Sequence, residues 1–250
     1  MANRSKLATA TMAFAFVTMI PGLYGKEVEC GATRDDASAS DGIRTDRLTP
    51  RQLQTWRLIQ QIVEAVDRTG RPLHPRLSSL WQWAQSSGNT IYIEILDEKN
   101  PQTYHAGLLT VQEPNGRGTG RTAVIQFWSS IIERASAQKE VRRADGFVPF
   151  EGLGRIERYA QVLGHELTHA ALQLQDPVYD QMCRDLETEK AAFLASRKQN
   201  VQGVAYDQSS RERLSRILSL SEQIESPAQK AEAEIWRELR DGQHMRAAAR

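Results

Sequence analysis

The chain has few cysteines, few histidines and no excess of one charge. Its 250 residues include two cysteines and five histidines, and 32 basic residues oppose 31 acidic ones. Two cysteines allow at most one disulfide, which excludes a scaffold built on several disulfides. A charge balance near zero does not indicate a nucleic-acid partner or an anionic membrane surface, both of which favour a basic excess.

Long apolar runs are also scarce. One such run, Leu7 to Ile20, follows the basic residues Arg4 and Lys6 and ends at a Pro-Gly pair. It is about 14 residues long, short of the roughly 20 residues that span a bilayer as a helix. This pattern predicts a signal peptide over residues 1–25 and export to the periplasm or the extracellular space, with no integral membrane span after cleavage. The alternative is an uncleaved amino-terminal anchor.

The segment after the predicted signal peptide has the composition of a disordered leader. Residues 26–48 are polar, small and charged, with no apolar period. In an exported chain, Cys30 of this segment and Cys183 far downstream could form a disulfide. Equally, Cys183 could be a buried thiol and Cys30 a free one, so the sequence leaves the pairing open.

The chain contains one HExxH pattern, His165-Glu166-Leu167-Thr168-His169. In a helix, residues i and i+4 project from one face, so the two imidazoles lie one turn apart and can bind the same zinc ion. The glutamate between them can accept a proton from the water at the metal. One helical turn thus supplies two candidate ligands and a candidate general base.

The residues around the motif favour a partly buried helix. The alternative is an amphipathic helix whose histidines are surface residues or satisfied core residues. Here the histidines lie within the apolar face rather than on a charged one, and Gly164 leaves room for another backbone to approach. The flanking apolar residues are Ile156, Tyr159, Val162, Leu163, Ala170, Ala171, Leu172 and Leu174.

Over these five residues, and less specifically over a downstream acidic helix, the sequence resembles the zincin metallopeptidases, which carry HExxH on their active-site helix. The resemblance implies zinc as the cofactor, His165 and His169 as ligands, Glu166 as the general base and a peptide or protein as the substrate. It also implies a sheet edge that pairs with an extended substrate, and residues 122–127 are the candidate for that edge.

A catalytic zinc ion usually has three protein ligands, and some candidates for the third are excluded by the sequence. The metzincin extension requires Gly at position 172 and His at position 175, where this chain has Leu172 and Gln175. A third histidine would have to be His74, His105 or His244, and none of them lies in a recognisable motif.

The remaining option is a glutamate on a second helix, as in the gluzincins. Residues 180–198 predict such a helix, and Glu189 lies on its apolar stripe, where a carboxylate requires a compensating cation. Glu189 is therefore the predicted third ligand, and its spacing from the motif fits the gluzincin resemblance. Glu187 is the rival, and in the alternative both glutamates are solvated and pair with Lys190 or Arg184. The stripe consists of Met182, Leu186, Glu189 and Phe193.

One position departs from the thermolysin-like gluzincins. Those enzymes carry an aspartate four residues after the ligand glutamate, and it orients the first histidine. In this chain Phe193 occupies that position. The prediction is therefore a general gluzincin arrangement in which another part of the chain orients the histidine.

The remaining patterns place the motif in an α+β domain. Thr49 opens a capping box and a helix whose apolar positions continue to Gly70. The order of elements predicts a zincin-like α+β fold over residues 49–205, with a small mixed sheet packed against the motif helix and with additional terminal helices. Residues 206–250, interrupted by Pro227, predict a helical extension that either packs back on the domain or forms a partner surface. Other elements are predicted at 75–86 and 128–140 for helices and at 91–95, 106–111 and 122–127 for strands.

Together, the motif and the resemblance predict an exported zinc-dependent peptidase. Zinc would be held by His165, His169 and Glu189, and Glu166 would return the proton to the leaving amine. One alternative is a non-catalytic envelope binding protein with a degenerate or structural zinc site. Another is a zinc amidase that acts on cell-wall peptides. The oxyanion donor is left unassigned among Tyr159, Tyr179, Tyr206 and His105.

Overall fold

The computed structural model describes residues 42–97, 106–112, 120–134, 150–199 and 208–248. These residues form a small mixed sheet and six helices, an α+β fold. The strands are β1 (Gly42–Arg44), β2 (Thr90–Leu96), β3 (Gly107–Gln112) and β4 (Thr122–Trp128). The helices are α1 (Pro50–Val63), α2 (Pro75–Ser86), α3 (Ser129–Arg134), α4 (Arg155–Gln175), α5 (Pro177–Gln199) and α6 (Gln208–Ala248).

Strand β4 lies in the interior of the described sheet, and β3 lies at its edge. The strand order is β1-β2-β4-β3, with β2 parallel to β1 and β4 and with β3 antiparallel to β4. The prediction that residues 122–127 form the exposed edge is therefore wrong. Ala123, Val124 and Ile125 are buried in succession, which is the pattern of a strand covered on both faces. That pattern suits the interior position of β4.

Helices α1, α2 and α4 share one apolar core with the inward side chains of β2 and β4. The rings of Trp56 and Trp81 lie 5.8 Å apart between α1 and α2, and both side chains are buried in this core. Burial of each aliphatic side chain contributes about 1.5–3 kcal/mol to folding. The largest fully buried side chains are Trp56, Tyr159, Phe127, Ile59, Leu77, Ile91, Ile93, Ile125, Ile132, Leu163, Leu167 and Ile235.

Helix α1 begins as the sequence predicts but ends earlier. Its capping box is formed by both side-chain hydrogen bonds. The helix stops at Val63 rather than at Gly70, because the next residues form a turn. The carboxylate of Asp67 accepts hydrogen bonds from the backbone N–H groups of Thr69 and Arg71, and local bonds of this kind compete with a helix.

The amino-terminal predictions fall largely outside the described residues, which exclude the predicted signal peptide and Cys30. Cys183 is half-buried on α5. The last part of the predicted leader is ordered, since Gly42–Arg44 form β1 and pair with β2. Three residues are too few to show a period, and their hydrogen bonds come from a distant strand. Among the described residues, no helix combines the length and the apolar character of a bilayer span.

The carboxy-terminal residues form one long helix that belongs to the main core. Helix α6 has 41 residues and continues through Pro227, where the sequence predicts a break between two helices. Ile235 and Leu239 are fully buried in the core that contains α4, and Ile224 packs in a smaller cluster with α5. The predicted division at residue 205 therefore does not separate two cores. Packing along α6 offsets the hydrogen bond that the proline removes.

Candidate metal centre

Helix α4 carries the HExxH motif through the core of the domain. Leu163 and Leu167 of this helix are fully buried. Gly164 lets α6 come close, since a Cβ at this glycine would lie 2.3 Å from Cδ1 of Ile235. Gly164 thus lets a neighbouring helix come close, as the sequence predicts. The atoms nearest to it belong to the Ile235 side chain, whereas the prediction was a backbone. This approach brings α6 beside His165.

Three side-chain atoms from α4 and α6 that are able to bind a metal ion converge at this interface. The Nε2 atoms of His165 and His169 are 3.1 Å apart. Oε2 of Glu225 lies 3.5 Å from Nε2 of His165 and 3.7 Å from Nε2 of His169. Within the described ranges, this is the one group of three His, Cys, Asp or Glu side chains that is close enough to hold a metal ion.

The three atoms fit three corners of a zinc tetrahedron. A point equidistant from them and about 0.7 Å out of their plane, as a tetrahedral centre requires, lies about 2.1 Å from each atom, and zinc binds nitrogen and carboxylate oxygen at roughly 2.0–2.2 Å. Two imidazoles and one carboxylate form a donor set that catalytic zinc sites use while one position stays open. The Glu225 side chain is 42% exposed, so solvent reaches this side of the group.

The structure does not bring Glu189 or Glu187 to the histidines. Glu189 forms ion pairs with Arg213 at 3.1 Å and with Arg216 at 3.4 Å. Glu187 is exposed and pairs with Lys190 at 2.9 Å. The carboxylate on the apolar stripe of α5 does have a cationic partner, but that partner is a pair of guanidinium groups on α6. The carboxylate that lies near the Nε2 atoms of both histidines belongs instead to Glu225 of α6.

A second carboxylate of α6 orients the first imidazole. Oε2 of Glu232 lies 3.2 Å from Nδ1 of His165, and Oε1 of Glu232 accepts a hydrogen bond from the amide of Gln161 at 2.8 Å. When Nδ1–H donates to Glu232, Nε2 of His165 keeps its lone pair for a metal. Glu232 thus performs the orienting role that the sequence could not assign at Phe193.

The second imidazole is oriented from α5. Nδ1 of His169 lies 2.7 Å from the hydroxyl oxygen of Tyr179. The same hydroxyl donates to the backbone carbonyl of Ile224 at 2.8 Å. All three residues are buried, so three helices fix the two histidine rings.

Glu166 lies between the ligand turn and the edge strand. It is 5% exposed, and a Cβ at Gly107, the first residue of β3, would lie 2.5 Å from its Oε1. A larger residue at position 107 would push this carboxylate aside. The candidate general base therefore lies where the edge strand begins.

Three carboxylates surround the two imidazoles, and their charge favours a bound cation. Burial raises the pKa of Glu166, and the imidazoles oppose that shift. Burial would lower the pKa of His165, but the neighbouring carboxylates of Glu225 and Glu232 raise it to about 10. Burial would raise the pKa of Glu225, but the nearby imidazoles of His165 and His169 lower it. A divalent cation can supply the positive charge that these carboxylates require.

The structure describes two of the candidate oxyanion donors, Tyr159 and Tyr179, and the hydroxyl group of each already donates a hydrogen bond within the protein. The Tyr159 hydroxyl donates to Oε1 of Glu133 at 3.2 Å, and the Tyr179 hydroxyl lies between α4 and α6 as described above. His105 and Tyr206 lie outside the described residues. The structure therefore assigns no oxyanion donor.

Among the other histidines, His74 is buried against α6 rather than in the metal group. Its Nδ1 lies 3.2 Å from the backbone carbonyl of Glu238, and a Cβ at Gly242 would lie 2.5 Å from its Cε1. The side chain of His244 lies outside the described residues. The structure thus gives His74 a packing role at the start of α2.

Sequence reasoning missed Glu225 and Glu232, although a signal for them exists. A carboxylate on an apolar helical stripe is the feature that indicated Glu189, and Glu232 meets the same criterion on α6. Glu225 lies two turns earlier and on the same face. The buried apolar residues of that stripe are Ala228, Ala231, Ile235 and Leu239.

Comparison with protein-family models, with curated proteins and with solved structures gives no significant match. The resemblance to zincins thus rests on the motif, and the geometry of the site is the basis for a function.

Proposed function

We propose that the chain is an exported zinc-dependent peptidase. The observation that supports this most directly is the convergence of His165, His169 and Glu225 on one point, beside the buried Glu166. This donor set, with a glutamate next to the first ligand, is that of zinc hydrolases that activate water. Export is inferred from the apolar run with a basic start in residues 1–25.

When bound, zinc polarises a carbonyl group and lowers the pKa of water towards roughly 7. The three ligand side chains fix the position of that charge, and Glu166 handles the proton. Because burial raises the pKa of Glu166, its carboxylate is a stronger base than an exposed one. In the proposed reaction the water oxygen adds to the peptide carbonyl carbon and Glu166 accepts the water proton. Glu166 then passes this proton to the amine nitrogen as the C–N bond breaks.

The proposed site for the peptide is the free side of β3. The strand is an edge of the described sheet, and most of its residues are only partly buried or exposed. An extended peptide can add to such an edge through backbone hydrogen bonds. Since a Cβ at Gly107, at the start of β3, would lie 2.5 Å from Oε1 of Glu166, a peptide along this strand would pass beside the general base.

The first experiment measures the metal content and the peptidase activity of the purified full-length chain. We expect one zinc ion per chain and hydrolysis of a peptide library that a chelator abolishes. Glu166→Gln should retain the zinc and reduce hydrolysis by about 100- to 10,000-fold, because an amide cannot accept the proton. Glu187→Gln is the matched control, since Glu187 is exposed and pairs with Lys190, and it should keep both properties.

Different outcomes favour different functions. Zinc binding without cleavage of any peptide would favour a binding protein, and cleavage of cell-wall peptides alone would favour an amidase. Full hydrolysis by Glu166→Gln, or a purified chain that binds no zinc, would overturn the peptidase proposal.

A further inference from the structure

Tyr179 connects the second histidine to the segment of α6 that carries the glutamate ligand. Its hydroxyl oxygen lies 2.7 Å from Nδ1 of His169 and 2.8 Å from the carbonyl oxygen of Ile224. Ile224 directly precedes Glu225 in the chain. A single hydroxyl group of α5 therefore contacts α4 and α6 at the places where each supplies a metal ligand.

These two contacts determine the direction of both hydrogen bonds. A carbonyl oxygen can only accept, so the Tyr179 O–H donates to Ile224 and its oxygen accepts from Nδ1–H of His169. The neutral imidazole then carries its proton on Nδ1 and its lone pair on Nε2, the atom in the metal group.

The turn of α6 that carries Glu225 is weakened by a proline. Pro227 lies inside the helix and has no N–H, so the carbonyl of Gln223 loses its usual helical partner. The hydrogen bond from Tyr179 reaches the next carbonyl along the chain. This hydrogen bond from α5 holds the turn of α6 in which Pro227 leaves one helical hydrogen bond unmade.

The position of Tyr179 is itself fixed by its surroundings. Its ring packs with Leu186 and Ile224 in a small buried cluster between α5 and α6. The adjacent residue, Asp180, accepts a hydrogen bond from Arg121 at 2.9 Å, which ties the start of α5 to the residue that precedes β4. The hydroxyl is therefore held in place by contacts that do not depend on a metal.

We propose that Tyr179 is a positioning residue that couples His169 to Glu225 and thereby sets the affinity of the site for zinc. The inference rests on the proposed zinc site, and Tyr179 acts through the two ligands without touching the metal. Groups that orient ligands typically change metal affinity by about 10–100-fold. Because Tyr179 hydrogen-bonds to one proposed ligand and to the residue next to another, we expect an effect of this size.

The test compares two tyrosine-to-phenylalanine variants of the full-length chain. Tyr179→Phe removes the bridging hydroxyl, and Tyr159→Phe removes the hydroxyl of another buried tyrosine, which donates to Glu133. Zinc affinity is measured by competition with a chromophoric chelator, at a temperature where circular dichroism shows each variant to be folded. We expect a loss of about 10–100-fold for Tyr179→Phe and of less than about twofold for Tyr159→Phe.

Visible absorption of the cobalt-substituted chain gives a second readout, because its bands report the geometry around the ion. We expect Tyr179→Phe to change the intensity of these bands and Tyr159→Phe to leave them as in the unmodified chain. Unchanged zinc affinity together with an unchanged cobalt spectrum in Tyr179→Phe would overturn the inference and leave the zinc site intact. Failure of the unmodified chain to bind zinc would overturn the proposed function as well.

A measurement on the unmodified chain avoids dependence on the folding of the variant. Nitrogen-15 NMR of the zinc-loaded chain, with labelled histidine, distinguishes the two ring nitrogens of His169. We expect a protonated Nδ1 and a metal-bound Nε2. Metal binding through Nδ1 would contradict the proposed role of Tyr179.

Discussion

Glu225 and Glu189 lie on neighbouring helices, and the structure gives them different partners. Oε2 of Glu225 lies within 3.7 Å of both imidazole Nε2 atoms, whereas Glu189 pairs with Arg213 and Arg216. Substitution by glutamine removes one negative charge in each case and nearly preserves the size of the side chain. The two variants therefore form a matched pair that tests which carboxylate binds the metal.

Glu225→Gln should weaken zinc binding by more than about 100-fold, because loss of a group that merely orients a ligand already costs about 10–100-fold. A 100-fold change corresponds to about 2.7 kcal/mol of binding free energy. Glu189→Gln should leave the zinc affinity unchanged. Its ion pairs are partly exposed, with the Arg216 side chain 71% exposed, so their loss should lower the free energy of unfolding by about 0–1 kcal/mol.

Thermal unfolding with and without zinc separates the two effects. Zinc that binds only the folded chain raises its Tm, and a deficit of about 2.7 kcal/mol reduces that rise by about 5–10 °C. Glu225→Gln should show this deficit, while Glu189→Gln should unfold at a slightly lower temperature in both conditions and keep the full rise. Loss of the rise in Glu189→Gln, with a full rise in Glu225→Gln, would refute the assignment of the third ligand.

Three further variants test the surroundings of the site. Glu232→Gln should weaken zinc binding by about tenfold, because His165 loses its charged partner; equal affinities in chelator competition would contradict this role. Gly107→Ala should reduce hydrolysis by about 10–100-fold, because its Cβ displaces the general base, and the zinc content should not change; a parallel loss of zinc would point to a wider disturbance. Burial would raise the pKa of Asp180, but hydrogen bonds from Arg121 and from the side-chain amide of Gln173 lower it. The ionised carboxylate therefore stabilises the fold fully above its ordinary pKa of 3.8. This stabilisation is lost as the pH falls through the lowered pKa of the folded state. Asp180→Asn should therefore reduce the free energy of unfolding by about 1–3 kcal/mol at neutral pH and by less in acid. Urea unfolding measures the difference in this free energy between the variant and the unmodified chain. A difference that stays constant down to about pH 3 would oppose this account.

Local patterns in the sequence predict much of the fold. Helix α2 has the bounds that Pro75 and its apolar spacing indicate, and the three predicted strands appear within a few residues of their expected positions. The capping box at Thr49 forms as expected. These elements were predictable because each depends on residues that are close together in the chain.

Contacts between distant segments account for most of the differences. The carboxylate that we propose as the third ligand belongs to Glu225, on a helix that the sequence predicts as a terminal extension. Its place depends on how α6 packs against Gly164. Strand β1 likewise depends on a distant segment, since it pairs with β2. Strand β4 lies in the interior of the described sheet because β2 and β3 pair with its two sides. Periodicity within a segment can mark a carboxylate on its apolar face, but it does not show which distant segment that face packs against.

The separation of the ligands along the chain has a consequence for biosynthesis. A ribosome completes the HExxH turn long before it reaches Glu225. A nascent chain therefore carries both imidazoles but lacks the Glu225 carboxylate beside them until α6 has been made and has packed against α4. A copy that stops before that helix would still match a motif search and yet lack the carboxylate proposed as the third ligand. The proposed zinc site would therefore assemble only after the carboxy-terminal helix has been made.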